Sequence, residues 1–393
     1  MDSKIAFIED YRRKQLSFAE LCRRHGISRT CGYKWVERFR QGGLEGLQEL
    51  SRRPQTSPLR SSARVEQAVV TVRNRHPVWG GRKIRKVLQR EGCRHVPAPS
   101  TVTNILRRHN LLGAGTREGS PNVQRFERSE PNDLWQMDFK GWFELGNRKR
   151  CYPLTALDDH SRYNLILEAC VGESNKDVRP VLSRAFQRYG LPRQILCDHG
   201  KPWGGGSLAA HDYITSFEVW LLRLGVEVIH GRVRHPQTQG KEERFHRTLK
   251  AEVLDRSVKW RTHADCQKAL TQWQRIYNTE RPHESLDYRS PSEVYCLSHR
   301  NYPKKLPKPE SFYLEDDILR TVKSKGEITF KNACFYIGGA LIGEPIALRP
   351  LGLGGKEADT YGVFYCWKPI GSINLKNIHK QKGRYHSITP QKV

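Results

Sequence analysis

The sequence has no apolar run long enough to cross a membrane and no signal-peptide pattern at its start. A membrane-spanning helix needs roughly 18 or more apolar residues in succession, whereas 28% of this 393-residue chain is charged. Asp2, Glu9 and Asp10 interrupt the amino-terminal stretch, where a signal peptide would be basic and then apolar. These absences argue against an integral membrane protein and predict a cytoplasmic one.

Paired cysteines are also missing. The ten cysteines are scattered singly, and no two of them form a C-x-x-C pair. This spacing argues against a disulfide scaffold and against a zinc site, and it favours a reducing compartment.

Acidic residues are few relative to basic ones. Lys and Arg number 68 against 41 Asp and Glu, giving a net charge of +27 and a pI of about 9.9. Such an excess indicates a polyanionic partner, nucleic acid before an anionic membrane surface. Residues 1–131 hold 27 basic and 12 acidic residues, so this part is predicted to hold DNA most tightly.

Two aspartates lie in predicted strands. Asp138 is part of an aromatic and apolar run, residues 134–145, that is typical of a strand. A carboxylate in a buried strand is costly unless it is paired or binds a metal ion. Asp198 follows the short apolar run 195–197 and precedes Gly200, and the carboxyl ends of strands in α/β sheets commonly carry the chemistry.

A glutamate on a predicted helix is the third candidate. Phe245, Leu249 and Val253 recur on one helical face, and Glu243 lies in the first turn. Arg247 and Lys250 follow it at i+4 and i+7, on the same side of the helix. A solvated amphipathic helix with a local ion pair explains this stretch equally well when it is taken alone.

Asp138, Asp198 and Glu243 together would form an oxygen-rich anionic site. Such a site suits Mg²⁺ or Mn²⁺, and two such ions about 3.5–4 Å apart activate a water or hydroxyl and stabilise the leaving oxygen of a phosphodiester. Asp158 and Asp159 are rival ligands, ranked lower because they lie in a predicted turn, where Asp is favoured for backbone reasons.

Four motifs, taken in order, resemble those of DDE transposases. They are Trp135-Gln-Met-Asp-Phe139, Cys197-Asp-His-Gly200, His235-Pro-Gln-Thr-Gln-Gly-Lys-Glu-Glu243 and Tyr277-Asn-Thr-Glu-Arg-Pro-His-Glu-Ser-Leu286. The chain resembles a bacterial insertion-sequence transposase of the retroviral-integrase superfamily over most of its length. His199 stands where the family often has Asn, and the interval from Asp198 to Glu243 is longer than in retroviral integrases, which fits an inserted loop around Gly204-Gly-Gly206.

The resemblance implies a ribonuclease H-like core in which Asp138, Asp198 and Glu243 bind two Mg²⁺ or Mn²⁺ ions per active site. Glu243 fits the family glutamate better than Glu242 because it stands three residues after Gly240. The implied activity is hydrolysis of the phosphodiester at each end of a mobile element and joining of the 3′-hydroxyls to target DNA. The implied partners are the two element ends, the target DNA and further copies of the chain, as a dimer or higher oligomer at synapsis.

Residues 1–50 are predicted to form a helix-turn-helix domain. Ser17 and Glu20 form a capping box that starts one helix, and Ser28 caps the next after a tight turn at Gly26-Ile27. The amino-terminal part of the last helix enters the major groove in this motif. The candidate contacts are Arg29, Thr30 and Lys34, and a small helical bundle with incidental basic residues is the alternative.

A basic linker, residues 51–64, leads to a second helix-turn-helix domain, residues 65–113. Arg52 and Arg53 of the linker could follow a phosphate backbone or a minor groove, although a solvated tether explains them nearly as well. In the second module Ser100 is predicted to cap the last helix. Two modules in tandem suit a long terminal inverted repeat. The candidate contacts are Arg82, Lys83, Thr101, Thr103 and Asn104, and in the core Arg247 and Lys250.

The remaining domains follow from composition. A linker at 114–131 precedes the α/β catalytic core at 132–300, and a Lys- and Pro-rich linker at 301–315 precedes residues 316–393. Five short strands with glycine turns in this last part predict a small β-barrel, which the resemblance makes SH3-like, followed by a basic tail.

Two other functions remain open from the sequence. A non-catalytic DNA-binding regulator derived from a transposase would not need the three carboxylates. A ribonuclease H-type nuclease would need them but would not need two helical DNA-reading modules.

Overall fold

The computed structural model describes residues 2–49, 60–112, 127–198, 200, 202–203, 214–231, 240–255, 259–351, 358–376 and 386–390. The chain divides into two compact units, Met1–Ser62 and Ala63–Val393. Across the described ranges, no helix is both long and apolar enough to span a membrane.

The first unit is built from three helices, as predicted. They are α1 (Asp2–Arg13), α2 (Phe18–Arg24) and α3 (Arg29–Gly42). Ser17 and Glu20 form the capping box before α2, and the Ser28 hydroxyl accepts from the Cys31 N–H at the start of α3. Phe7, Leu21 and Val36 are buried between the helices, so the helix-turn-helix geometry follows from local caps and one apolar stripe per helix.

The second helical module consists of α4 (Ala63–Arg75), α5 (Gly81–Arg90) and α6 (Pro99–Arg108). The prediction that Ser100 caps α6 is wrong. The helix begins at Pro99 with Ala98 as its N-cap and no side-chain cap, because proline lacks the N–H that the first helical position leaves unbonded and its fixed φ suits a helix start.

The core contains a sheet of the predicted kind. Strand β1 (Leu134–Phe139) pairs antiparallel with β3 (Arg150–Asp158), which carries β4 (Asn164–Cys170) and a short strand, β2 (Phe143–Glu144), on its far edge. On the other side β1 pairs parallel with β5 (Gln194–Cys197), and β5 with β6 (Glu227–His230). Three antiparallel strands extended by two parallel ones give the ribonuclease H-type sheet.

Helices cover both faces of this sheet. Helices α7 (Asn175–Tyr189) and α8 (Ser216–Arg223) pack on one face, around Trp135, Met137 and Phe186. Helices α9 (Gly240–Leu249) and α10 (His263–Thr279) pack on the other, around Leu157, Phe245 and other apolar side chains. A π-helical turn, Lys250–Leu254, extends α9. The core is therefore a three-layer α/β/α domain.

The second helical module is part of the same compact unit as the core, although the sequence suggested a separate domain. The Trp79 indole N–H donates to Glu252 Oε1 at 3.2 Å, and Arg90 pairs with Glu293 at 2.5 Å. Arg82 also pairs with Glu284, and Ile276 of α10 packs against the apolar core of the module. These contacts dock α5 against the carboxyl-terminal part of the core.

The carboxyl-terminal part is all β and forms two sheets. One holds β7 (Ile318–Thr321), β10 (Pro345–Pro350), β11 (Thr360–Tyr365), β12 (Lys368–Asn374) and β14 (Thr389–Pro390). The other holds β8 (Glu327–Phe330), β9 (Ala333–Tyr336) and β13 (His386–Ser387). The described strands do not close into one barrel, so the SH3-like barrel stays a prediction.

Candidate active site

Asp138 lies on the face of the sheet that α9 covers. Side chains alternate between the two faces of a strand, and Trp135 and Met137 point toward α7 and α8. Gln136 and Asp138 therefore point the other way. Asp138 faces Thr155 across the antiparallel pair, and about a quarter of its side chain is exposed. The predicted strand placement of Asp138 is confirmed.

Asp198 directly follows β5, at the end of the strand, as predicted. Its Oδ1 atom accepts from the Gly200 N–H at 2.9 Å, and the His230 ring nitrogen Nδ1 lies 2.9 Å from its backbone oxygen. Since β5 is the parallel neighbour of β1, Asp198 is placed next to Asp138 rather than at a distant edge.

The two aspartates interact electrostatically. Burial raises the pKa of Asp138 to about 7, and the negative charge of Asp198 adds to this shift. A carboxylate whose neighbour carries the same charge favours its protonated form. A divalent cation between two such groups would remove that repulsion, so the donor set fits a hard metal ion.

Helix α9 carries two adjacent glutamates that point in different directions. Glu243 is exposed, together with Arg244, Arg247 and Lys250. Glu242 is 1% exposed and faces the core. Burial raises the pKa of Glu242 well above its usual range, and the charge of Asp138 adds to that shift. The structure thus brings Glu242, rather than Glu243, into the electrostatic reach of Asp138.

A buried polar cluster surrounds Glu242. The Thr155 hydroxyl oxygen lies 3.1 Å from Glu242 Oε2 and 2.8 Å from His246 Nε2. His246 Nδ1 lies 3.9 Å from Asp138 Oδ2. Burial lowers the pKa of His246 to about 3, with Lys140 contributing, so this imidazole is neutral near pH 7.

The rival acids Asp158 and Asp159 are fully engaged in the fold. Asp158 accepts from the backbone N–H groups of Asn132 and Ser161 at 2.6 and 2.7 Å. Asp159 accepts from Gln136 and from the Lys241 ammonium at 2.6 and 2.5 Å. Both side chains are at most 1% exposed. Their hydrogen bonds tie the turn to β1 and α9 and leave little capacity for a metal ion.

The predicted DNA contacts of the first unit lie on its surface. Arg29, Thr30 and Lys34 are all exposed along α3, as a recognition helix requires. Arg52 and Arg53 lie outside the described residues. The exposed Tyr33 is a further polar aromatic group on the same helix.

The predicted contacts of the second module have mixed settings. Asn104 is exposed and accepts from Arg107 at 2.5 Å, whereas Thr101 and Thr103 are half-buried and Thr103 donates to the Pro99 carbonyl at 2.9 Å. Arg82 is exposed but is paired with Glu284. Lys83 is half-buried at the docked face of α5.

A cleft opens between this module and the core. It encloses about 790 Å³ and is lined by residues of α5, the start of α6 and the 284–288 segment, among them Arg82, Lys83, Ser100, Glu284 and Tyr288. A neighbouring pocket of about 270 Å³ adds Arg85 and Lys86 to the basic wall. Part of the predicted basic surface therefore lines an interface within the chain.

In the described part of the chain, no three His, Cys, Asp or Glu side chains stand ready as a metal site. Asp138 and Asp198 are the pair that the fold brings together, and Glu243 begins the exposed face of α9. The segment 232–239, which precedes α9 and contains the His235-Pro-Gln-Thr-Gln motif, lies outside the described residues.

Sequence reasoning missed several members of this region. Glu242 was set aside in favour of Glu243, while Thr155, His246 and Glu173 were not considered. Burial and the charge of Asp198 raise the pKa of Glu173, which places it beside the aspartates. The helical period already put Glu242 and His246 on the side of Phe245 and Leu249, so the pattern held a usable signal.

Family models match four parts of the chain. Two, both described as "Integrase core domain", match residues 128–236 and 224–291. A "Helix-turn-helix domain" matches residues 3–55, and a "Homeodomain-like domain" matches residues 31–106. The integrase matches include Asp138, Asp198 and Glu243.

Several curated proteins resemble the chain. An uncharacterized 31.7 kDa protein of insertion element IS407 from Burkholderia multivorans is 25% identical over 229 residues, 56% of this chain and 76% of that protein. An uncharacterized 39.2 kDa protein of insertion element IS476 from Xanthomonas euvesicatoria is 29% identical over 44% of this chain and 46% of its own length. The Gag-Pro-Pol polyprotein of Mason-Pfizer monkey virus is 32% identical over 123 residues, 31% of this chain and 6% of the polyprotein.

Solved structures with some likeness include the HTLV-2 integrase catalytic core domain in complex with magnesium, at 13% identity and a TM-score of 0.32, covering 43% of this chain and 99% of that one. A simian T-cell lymphotropic virus intasome chain aligns with 72% of this chain and 96% of its own, at 14% identity and a TM-score of 0.35. From the integrase and helix-turn-helix models together with the insertion-element relatives, the chain belongs to the DDE transposase and integrase family of insertion-sequence proteins.

Proposed function

We propose that the chain is a DNA transposase that binds the terminal inverted repeats of a mobile element, hydrolyses the phosphodiester at each end and joins the freed 3′-hydroxyls to target DNA. One phosphodiester replaces another in the joining step, so neither a covalent enzyme intermediate nor an external energy source is needed. Asp138, Asp198 and Glu243 are the proposed catalytic carboxylates.

The observation that carries the proposal is the juxtaposition of Asp138 and Asp198 on adjacent parallel strands. Both lie at the side of the sheet that α9 covers, and burial and mutual repulsion hold the Asp138 carboxyl at a pKa of about 7. Perturbed carboxyl groups that converge in this way mark functional sites more often than structural ones. Glu243 is proposed from its place three residues after Gly240 and from its exposure on α9.

The residues of the chain have distinct proposed roles. Asp138 and Asp198 would hold two Mg²⁺ or Mn²⁺ ions, and Glu243 would complete one of the two ligand sets. When bound, such ions activate the attacking oxygen and stabilise the leaving one. Arg247 and Lys250, exposed one and two turns beyond Glu243, would bind the terminal phosphates.

Recognition of the ends is proposed for the helical modules. Arg29, Thr30 and Lys34 are exposed on α3 where base edges would be read. Thr101, Thr103, Asn104, Arg82, Lys83 and the linker residues Arg52 and Arg53 are proposed as further contacts. Two ends must meet for transposition, so we infer a dimer or higher oligomer at synapsis, with the carboxyl-terminal module, proposed to be SH3-like, contacting DNA or the partner subunit.

The experiment that tests this function uses DNA carrying the inverted repeats that flank the coding region. Wild-type protein, Asp138→Asn, Asp198→Asn and Glu243→Gln are incubated with labelled ends, plasmid target and Mg²⁺ or Mn²⁺, and products are separated on a denaturing gel. Glu144→Gln, an exposed carboxylate on β2, is the matched control. The proposal expects cleavage and joining by wild type and by the control, and neither reaction by the three site variants, which still bind the ends.

Other outcomes point to other functions. Cleavage without joining would favour a nuclease of the ribonuclease H type. Specific end binding with neither cleavage nor joining would favour a DNA-binding regulator. Joining by Asp138→Asn or Asp198→Asn would show that the carboxylates are assigned incorrectly.

A further inference from the structure

Thr155, Glu242 and His246 form a polar cluster beneath Asp138 that the proposed reaction does not itself use. The exposed fractions of these side chains are small: 0% for Thr155, 1% for Glu242 and 8% for His246. Phe245 and Leu249 of the same helix are buried beside them. Polar groups this deeply buried are retained only when their hydrogen bonds are satisfied, so the direction of each hydrogen bond can be worked out.

The Thr155 hydroxyl is the centre of the cluster and has one proton to donate. Its oxygen lies 2.8 Å from His246 Nε2, 2.9 Å from the Asp138 carbonyl oxygen and 3.1 Å from Glu242 Oε2. The Asp138 carbonyl has another donor, because Lys140 N–H bonds Pro153 O two residues along the ladder. Hydrogen-bonded pairs recur at every second residue of an antiparallel pair, so Thr155 N–H faces that carbonyl.

Glu242 supplies the direction of the chain of hydrogen bonds. Burial keeps this carboxyl group protonated, since its pKa is raised well above the usual range. Its hydroxyl then donates to the Thr155 oxygen, and the Thr155 proton is left to donate to the closest partner, His246 Nε2. A neutral imidazole carries one proton, which must then be on Nδ1.

His246 Nδ1 faces the Asp138 carboxylate, with 3.9 Å between Nδ1 and Oδ2. The opposite tautomer would place a lone pair of electrons against that anion. We propose that Glu242 and Thr155 hold His246 as its Nδ1–H tautomer, and that this N–H orients the Asp138 carboxylate for a divalent metal ion. The proposal rests on the proposed function, and it makes Glu242, Thr155 and His246 positioning residues.

This arrangement explains why α9 carries two adjacent glutamates. Glu243 points outward, where the proposed metal ligand must be, and Glu242 points inward, where it orients the neighbour of another ligand. Hydrogen-bonded partners of this kind fix the orientation of metal ligands, and their loss lowers metal affinity by roughly 10–100-fold in known metal sites.

The test uses the full-length protein and pairs of variants that differ only in hydrogen bonding. Thr155→Val removes the hydroxyl at constant shape, whereas Thr155→Ser keeps it. Glu242→Met removes the donor and Glu242→Gln keeps one, which covers the case in which Thr155→Val fails to fold. The first readout is the ¹⁵N spectrum of the metal-free protein labelled at histidine, with the His246 signals assigned by their loss in His246→Asn. The second is the dissociation constant of Mn²⁺ measured by calorimetry.

The expected result is Nδ1–H for His246 in wild type, Thr155→Ser and Glu242→Gln. Thr155→Val and Glu242→Met are expected to shift it toward Nε2–H and to weaken Mn²⁺ binding about tenfold, with melting temperatures showing that the variants are folded. An Nε2–H tautomer in wild type would overturn the proposal, as would unchanged Mn²⁺ affinity in folded Thr155→Val and Glu242→Met. If the tautomers are as expected but wild type joins no DNA ends, the proposed function is wrong and the hydrogen-bond network stands.

Discussion

Lys83 shows how far a basic residue can depart from the solvated cation that its sequence suggests. It is half-buried where α5 docks on the core, and burial lowers its pKa to about 7, with the charges of Arg281 and Arg244 adding to the shift and Glu252 and Glu284 opposing it. The folded protein therefore pays for a charge on Lys83 near neutral pH. A bound phosphate would offset this cost, which keeps Lys83 a reasonable DNA contact.

Replacing Lys83 by Met is expected to stabilise the free protein, and more so at low pH. The folded-state pKa is depressed below that of the unfolded chain, so the destabilisation is fully present below pH 7 and disappears as pH rises toward 10.5. At pH 6 the gain should be roughly 2–4 kcal/mol, and it should shrink by pH 9. Urea unfolding at both pH values measures it, and an equal gain at the two values would contradict the shifted pKa.

The predictability of the site differs from residue to residue. Asp138 and Asp198 could be placed from strand patterns, because a lone carboxylate in an apolar strand or at its end is chemically conspicuous. The separate orientations of Glu242 and Glu243 depend on where α9 lies on the sheet, which is a tertiary property. His246 and Thr155 carry no local signal beyond their apolar neighbours, so their contact with Asp138 became visible only with the fold.

At the scale of elements, α2 and α3 approach closely at Gly32. A Cβ atom there would lie 2.8 Å from the Cys22 sulfur and 3.0 Å from ring atoms of Phe7 and Phe18. This close approach sets the crossing of the two helices, and therefore the presentation of Arg29 and Lys34.

Gly32→Val is expected to destabilise the first unit by about 1–3 kcal/mol through overpacking and to weaken binding to the element ends. Gly42→Ala in the last turn of α3, where a Cβ atom meets nothing within 4 Å, is the control. Thermal unfolding followed by circular dichroism compares the two. If both variants melt like wild type, the helices do not pack as described.

The π-helical turn after α9 joins the second module to the core. Glu252 in this turn accepts from the Trp79 indole at 3.2 Å, the Trp273 indole at 2.9 Å and the Arg281 guanidinium at 3.1 Å. The Arg281 side chain is 8% exposed and that of Glu252 10%. Three buried donors on one carboxylate make this turn the main polar connection between α5, α9 and α10.

Glu252→Ala is expected to destabilise the second unit by roughly 3–5 kcal/mol, because it leaves Arg281 buried without its charge partner. Glu284→Ala removes the exposed pair with Arg82 and should cost less than about 1 kcal/mol. Guanidinium unfolding of the two variants provides the comparison. Similar losses in both would show that the buried connection is not what holds the module to the core.

Helix boundaries illustrate what local sequence can predict. Ser17 with Glu20 and Ser28 acted as predicted because each cap precedes an apolar stripe without competition. Ser100 failed as a cap because Pro99, one residue earlier, occupies the first helical position at no hydrogen-bonding cost. Two valid start signals overlapped, and backbone chemistry favoured the proline.

For the whole molecule, the compact boundary lies at Ser62 and Ala63. The predicted α/β layout of the core is confirmed because its strands and helices alternate visibly in the sequence. The docking of the second module could not be predicted, since it depends on contacts such as Trp79 with Glu252 that lie 173 residues apart.

Removal of residues 2–62 is expected to leave the second unit folded and to lower affinity for the element ends about a thousandfold or more, toward non-specific binding. The salt dependence of binding should also become shallower, because fewer phosphates are contacted. Titration of labelled ends against random duplex at several salt concentrations measures both effects. Unchanged discrimination between the two DNAs would place recognition in the second unit instead.

The central claim is that Asp138, Asp198 and Glu243 form one metal site, and iron-directed cleavage of the polypeptide tests it most directly. Fe²⁺ replaces Mg²⁺ in the full-length protein, ascorbate and peroxide generate hydroxyl radicals at the bound ion, and mass spectrometry maps the backbone cuts. The expected result is a set of cuts close to residues 138, 198 and 243 that Mg²⁺ suppresses and that Asp138→Asn removes. Cuts centred on Asp158 and Asp159, or cuts that Asp138→Asn leaves unchanged, would contradict it.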